Sequence, residues 1–446
     1  MSQDQSQPPA LKRELGVFGA TMMGLGSIVG TGVFVSIGIA AGMTGPSVVL
    51  AIGLAAFVAT CNAFSSAQLA ANHPVSGGTY EYGYKYLHPS LGFTAGWMFL
   101  CAKSASAATA ALGFSGYLLH AFGGRSEWLV PVAAATVAIL TAVVLGGVRR
   151  SNTVNIVIVS TTLLSLTAFV LAGLPTVVGN GTSRFSPFWG TGEYSPLHGF
   201  LYATALMFVA YTGYGRIATL GEEVREPKRI IPRAIVASLT VSAALYMAVG
   251  AVAIGVLGSE SLGEATQGKA APLEVVARHF RIPQVHRVVA IGAMTAMLGV
   301  LLNLILGLSR VLLAMGRRGD MPRATARLNE AQTTPTVAVI AVGVLITGLA
   351  LIGSVKTTWS FSAFTVLVYY ALTNLAALRL PREDRLYHSA FAWCGLGACL
   401  FLAFWVEWRV WAAGLGLVAV GLLWHRLARR FAPSDVVRET TRAGTR

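Results

Sequence analysis

The sequence predicts an all-α polytopic membrane protein of about twelve transmembrane helices, and three observations predict it. Only 11% of its 446 residues are charged and 54% are hydrophobic, whereas an average soluble domain carries roughly 25% charged residues. No Asp, Glu, Lys or Arg interrupts residues 15 to 80, a run far longer than the ~20 apolar residues one spanning helix needs. Two apolar segments are broken by glycines at corresponding places in the two halves of the chain. The first reads Gly26-Ser27-Ile28-Val29-Gly30-Thr31-Gly32 and the second Tyr211-Thr212-Gly213-Tyr214-Gly215-Arg216. Glycine opens a helix because it costs backbone entropy there and tolerates non-helical dihedrals. In a bilayer an unwound turn survives only where it lines protein or a wet cavity.

Taken in order, a polar tail (1–14) ends in Lys12, Arg13 and Glu14, and the apolar run behind it is too long for a cleavable signal. Turn signals then divide a transmembrane domain (15–430) into spans near 15–40, 46–71, 91–119, 128–148, 153–175, 197–222, 230–257, 287–315, 335–354, 357–379, 389–406 and 410–427. Two repeats, 15–175 and 197–380, each open with a broken helix. With about five spans apiece, the second repeat is inverted relative to the first, which makes the broken helices the first and sixth. Two extra helices (389–427) and a polar tail (431–446) follow. The long connection 258–286 contains an amphipathic stretch, Leu273–Phe280, expected to form a small surface helix.

The net charge of +15 is a topology signal. With the N-terminus inside, the inner connections hold Arg149, Arg150, Arg225, Lys228, Arg229, Arg233, Arg317, Arg318, Arg323, Arg327, Arg379, Arg382 and Arg385, and the tail adds Arg426, Arg429 and Arg430. The other face holds only Arg125, Arg184, Lys269, Arg278, Arg281, Arg287, Lys356 and Arg409. That bias orients both termini to the cytoplasm of a multi-pass cell (inner) membrane protein, whose partner is the lipid bilayer and not nucleic acid. The four cysteines, Cys61, Cys101, Cys394 and Cys399, lie in apolar segments as small core residues.

Paired breaks in matching positions are the best sequence pointer to the binding site of a secondary transporter. At the first, Gly30 and Gly32, flanked by Ser27 and Thr31, suit backbone amides turned toward an anionic group such as a carboxylate; close helix packing by small residues is the other reading. At the second, carbonyls freed around Gly213 suit an ammonium, with Val209, Ala210 and Thr212 shaping the pocket. Gly24-Leu25-Gly26 is not a dinucleotide loop, because Val29 stands at its last position and no strand precedes it.

Charges inside the membrane come next. Lys103 sits about twelve residues into the third span, roughly 18 Å deep. It either snorkels part of that way or is a desolvated lysine that exchanges a proton near another cation. Arg216 either pairs with Glu222 and Glu223 or stands as a fixed positive charge near the substrate. Asn303 either faces the pocket or bonds a neighbouring helix. All 18 carboxylates fall outside the deep membrane, so a cationic side chain or a sodium ion has no obvious ligand. No hydrolase, metalloprotease or phosphate-loop pattern is present, and no catalytic residue, metal or cofactor is implied.

At these residues the chain resembles the amino acid–polyamine–organocation (APC) transporter family. The resemblance rests on Gly26 to Phe34, on Pro74-Val75-Ser76-Gly77-Gly78-Thr79-Tyr80, and on Gly221-Glu222-Glu223-Val224-Arg225-Glu226-Pro227 with Ile231-Pro232-Arg233. Ser309-Arg310 through Met315-Gly316-Arg317, then Gly319-Asp320-Met321-Pro322, complete it. It implies the leucine-transporter fold, with substrate contacts at Ser27, Ile28, Thr31 and Gly32 in span one and at Val209, Ala210, Thr212 and Gly213 in span six. It also sets Lys103 beside that pocket. The lysine that some sodium-independent relatives carry in span five is missing here, and Gly215 occupies the position of the span-six glutamate that other relatives use as a proton gate.

The expected function is therefore alternating-access amino-acid transport, with neutral amino acids moved by proton symport or exchange without sodium. The alternatives are an exchanger for acidic amino acids or their decarboxylation products, with Lys103 and Arg216 binding the extra carboxylate, and a sensor that binds amino acid without moving it.

Overall fold

The computed structural model describes residues 16–73, 77–147, 152–190, 194–218, 224–330 and 334–431. Both expected tails, Pro74-Val75-Ser76, Arg149, Arg150 and the Glu222–Glu223 pair lie outside the described residues. Those residues are mainly helical, with no β-strand among them. In chain order the helices are α1 (Val17–Ile28), α2 (Ile37–Thr44), α3 (Val48–Asn72), α4 (Thr79–Tyr86), α5 (Pro89–Phe122), α6 (Leu129–Leu145), α7 (Asn152–Asn180) and α8 (Pro196–Tyr211). Then come α9 (Gly215–Ala218), α10 (Pro227–Leu257), α11 (Ser259–Lys269), α12 (Pro272–Ala277), α13 (Val285–Arg317), α14 (Thr336–Ala350), α15 (Val355–Leu378), α16 (Ser389–Ala403) and α17 (Trp408–Phe431).

Their boundaries follow local chemistry. Proline opens α5, α8, α10 and α12, where its missing N–H is one of the unpaired donors of a helix start. At α5 the His88 ring also accepts the Ser90 N–H, and the helix closes on Gly123 at φ 69°, the left-handed conformation glycine adopts without strain. Gly45 at φ 73° stops α2 in the same way.

Seven helical stretches among the described residues are long and apolar enough to cross a membrane, and α14 and α16 are shorter apolar helices. Their outer sides carry exposed Ile139, Leu164, Leu171, Val344 and Leu423, which suits contact with lipid. α5 is the central post: it packs against α15, α13, α4, α6, α14 and α17. The start of α5 and the ends of α13 and α17 meet through Phe93, Asp320, Trp424 and His425, which defines a terminal face of the molecule. On the opposite face, α11 and α12 fold over the bundle. Pro272, Leu273, Glu274, Val276 and Ala277 are all buried, so the stretch expected as a surface helix is instead an interior one. Its apolar residues find a partner in α13.

Candidate functional site

The first broken helix is interrupted at a single point. Val29 leaves the helix for an extended conformation (φ −82°, ψ 102°), and the chain re-enters as a wide π turn over Gly32–Ser36. The Val33 and Phe34 amides bond the Gly30 carbonyl at 3.1 and 3.2 Å, so the Thr31 and Gly32 amides stand ahead of that ladder as donors of a helix start. Thr31 Oγ1 is buried and has no hydrogen-bond partner.

The second break is milder than the glycine pair predicts. α8 tightens into a 3-10 turn at Thr212–Tyr214 and α9 resumes at Gly215, with right-handed dihedrals at Tyr211, Thr212 and Gly215. What glycine supplies there is close approach. A Cβ on Gly213 would fall on the Ser27 carbonyl, and one on Gly32 would come within 2.5 Å of Ala210 Cβ. The two breaks therefore touch backbone to backbone. Aromatic hydroxyls satisfy the carbonyls released nearby: Tyr246 donates to Ile28 O at 2.8 Å and Tyr370 to Thr212 O at 3.1 Å.

Between the breaks lies a cavity of about 40 Å³. Ser27, Ile28, Thr31 and Gly32 line it from the first break and Val209, Ala210, Thr212 and Gly213 from the second, with Lys103 of α5. Lys103 is 9% exposed; its Nζ donates to Thr212 Oγ1 at 2.8 Å, and that hydroxyl donates to Val209 O at 2.7 Å. None of the lining residues is Asp or Glu.

Three expected residues stand off the wall. Gly30 packs against α13, where an added Cβ would meet Val300 Cγ2 at 2.6 Å. Asn303 is half-buried on α13, about 100° around the helix from Leu304, which does line the cavity. Arg216 is half-buried on α9, also off the wall. Four further residues line the wall: Ser106, Val300, Leu304 and Trp359. Ser106 has a local sequence signal, three residues after Lys103 on the same helix face, and the other three have none.

Toward the terminal face, Met23, Ser27, Gly213, Leu304 and Gly307 are half-buried, whereas Val33, Phe34, Ala293 and Met297 on the other side of the cavity are fully buried, so the latter is the more tightly closed side. On that closed side Tyr117 Oη donates to Phe34 O at 2.8 Å and accepts the Leu273 N–H at 3.3 Å. Beside it the Glu274 carboxylate meets His120 at 2.9 Å and Arg278 at 3.0 Å.

The amino acid permease family profile matches residues 19–438. An uncharacterized transporter of Mycobacterium tuberculosis is 39% identical over 440 residues, covering 98% of this chain and 97% of its own. The branched-chain amino acid permease of Bacillus subtilis is 27% identical over 450 residues, 94% of each chain. The vacuolar cationic amino acid transporter 4 of Arabidopsis thaliana is 26% identical over 386 residues, 81% of this chain and 63% of that one. With broken helices around a buried cavity, and a family match over nearly its whole length, this multi-pass membrane protein is a permease rather than an enzyme: the chain belongs to the amino acid permease family.

Proposed function

We propose that the protein carries neutral amino acids by alternating access, coupled to protons and independent of sodium. The cavity wall supports this reading. It offers the amides of Thr31 and Gly32, the unpartnered Thr31 hydroxyl and the Lys103 ammonium, and no carboxylate. Donors at a helix start suit the substrate carboxylate. A cationic side chain would meet Lys103 without a counter-charge, so the substrates named for the plant relative fit this wall poorly. The acidic-substrate alternative sets Arg216 beside Lys103 on the extra carboxylate, and Arg216 stands off the wall.

In this reading Lys103 is the proton carrier. Its bond to Thr212 ties it to the second break, so losing the proton weakens a link between α5 and the moving helix. The repeats 15–175 and 197–380 rock about the site, and the termini sit in the cytoplasm of a cell membrane. The first test is uptake into proteoliposomes with an imposed proton gradient and no sodium. Gradient-driven accumulation of neutral amino acids is expected, and Lys103→Met should abolish the gradient's effect while leaving substrate exchange. A sodium requirement, or gradient-driven uptake undiminished in Lys103→Met, would overturn the reading.

A further inference from the structure

The cavity of about 40 Å³ holds about three waters, since each needs roughly 10–15 Å³ of such space. Ordinary ligand pockets run to roughly 300–1,000 Å³, so this one favours a small substrate. The two broken-helix walls have no room to retreat, because Gly32 lies against Ala210 and Gly213 against the Ser27–Ile28 backbone. Behind the wall, Gly30 lies against Val300 of α13.

The remaining wall holds Lys103, Ser106, Val300 and Leu304, and its largest side chain is a tryptophan. Trp359, on the second turn of α15, is 3% exposed and lines the cavity. Its indole Nε1 donates to the Leu206 carbonyl of α8 at 3.0 Å, one turn before Val209 and Ala210. That bond fixes the direction of a flat, rigid ring. One residue further along α15, Ser360 bonds Tyr202 of α8 at 2.7 Å, and Ser362 bonds Ser106 of α5 at 2.7 Å. The turn carrying Trp359 is thus pinned to both neighbouring helices, and the indole forms the ceiling of the substrate space on the closed side.

We infer that Trp359 is the specificity-determining residue of this site: it sets a ceiling on side-chain size and restricts the protein to small neutral amino acids such as glycine, alanine and serine. The inference rests on the proposed transport of neutral amino acids and names the substrate class within it. An apolar wall discriminates between side chains differing by a methylene by roughly 10-fold or more, and several methylenes separate alanine from leucine.

The test uses the full-length protein in liposomes, with labelled alanine uptake competed by glycine, alanine, valine, leucine and phenylalanine. For the unaltered protein the half-inhibitory concentration of leucine should exceed that of alanine by about tenfold or more. Trp359→Leu, which opens the ceiling, should bring leucine to within about threefold of alanine and permit uptake of labelled leucine. Trp359→Phe keeps an aromatic ring and loses the Leu206 bond; it guards against a folding defect and should give an intermediate ratio. Leucine competing as well as alanine in the unaltered protein, or a leucine-to-alanine ratio unmoved by both variants, would overturn the inference and leave neutral transport standing. Absence of uptake of every neutral amino acid would instead overturn the parent reading, and this inference with it.

Discussion

Two glycines two residues apart show how the same residue type does different work. Gly213 touches backbone, because a Cβ there would land on the Ser27 carbonyl and beside the Ile28 amide, and neither can swing away as a side chain can. Gly215 faces only the Tyr370 hydroxyl, 3.1 Å from where a Cβ would sit. Overpacking a tight contact costs about 1–3 kcal/mol, and alanine gains up to about 1 kcal/mol over glycine inside a helix. At Gly213 the steric cost dominates. At Gly215, the first residue of α9, a shift of a few tenths of an ångström by one hydroxyl offsets the helical gain. Gly213→Ala should therefore lower the melting temperature and nearly abolish uptake, while Gly215→Ala should leave both close to those of the unaltered protein. Equal losses in the two variants, measured by thermal melting in detergent and by initial uptake rate, would show that the close approach at the second break is not what its glycine is for.

Between elements, hydroxyl pairs stitch α5 to α15. Thr109 Oγ1 and Thr358 Oγ1 lie 2.7 Å apart, and each also has a local carbonyl within reach at 3.0 Å, Ala105 O and Ser354 O, so that the one donating across the seam forgoes its carbonyl while the other keeps its own. Removing one partner leaves the other still satisfied, so the pair should couple weakly. A double-mutant cycle on Thr109→Val and Thr358→Val should return about 0.6 kcal/mol, typical of interhelical bonds in membranes, and a value above about 1.7 kcal/mol would contradict this. The seam also marks what the sequence could and could not tell. Long apolar runs with Pro and Gly at their ends placed the helices to within a few residues, because those signals are local. The Val29–Gly30 break was legible for the same reason. The gentleness of the second break was not, since glycine permits an opening without requiring one. Trp359, Val300 and Leu304 reach the cavity only through the way α15 and α13 cross α5 and α8, and nothing in their own segments records that crossing. Asn303 drew notice by its polarity, but helical phase turned it from the wall. The stretch Leu273–Phe280 read as a surface helix because its amphipathic pattern does not say what lies above it.

At the scale of the whole molecule, each face is fastened by a charged cluster, and the two clusters respond to acid in opposite directions. On the terminal face, Arg318 pairs with Glu81 at 2.6 Å and lies over the Tyr84 ring at 4.1 Å, while Asp320 accepts the Tyr80 and Tyr84 hydroxyls at 2.7 and 2.6 Å. Burial raises the Glu81 carboxyl above its ordinary 4.5, the Arg318 pairing reduces that rise, and Asp320 adds to it. On the opposite face, burial also pushes Glu274 up, but its bonds to His120 and Arg278 outweigh it and hold the group below 4.5. The stability Glu274 contributes is thus complete above about pH 4.5 and is lost as pH falls through its lowered folded value. The contribution of Glu81 has the reverse sign: it is complete below about pH 4.5 and is lost as pH rises through its raised folded value. Melting curves of the unaltered protein, Glu274→Gln and Glu81→Gln over this range should separate the two. The stability advantage over Glu274→Gln should shrink on acidification below about pH 4.5, and that over Glu81→Gln should grow as pH falls toward it. An advantage over Glu274→Gln that does not shrink on acidification would mean that the His120–Glu274–Arg278 cluster does not fasten the closed face by charge, and that the covering helix α12 is held there by its buried apolar residues alone.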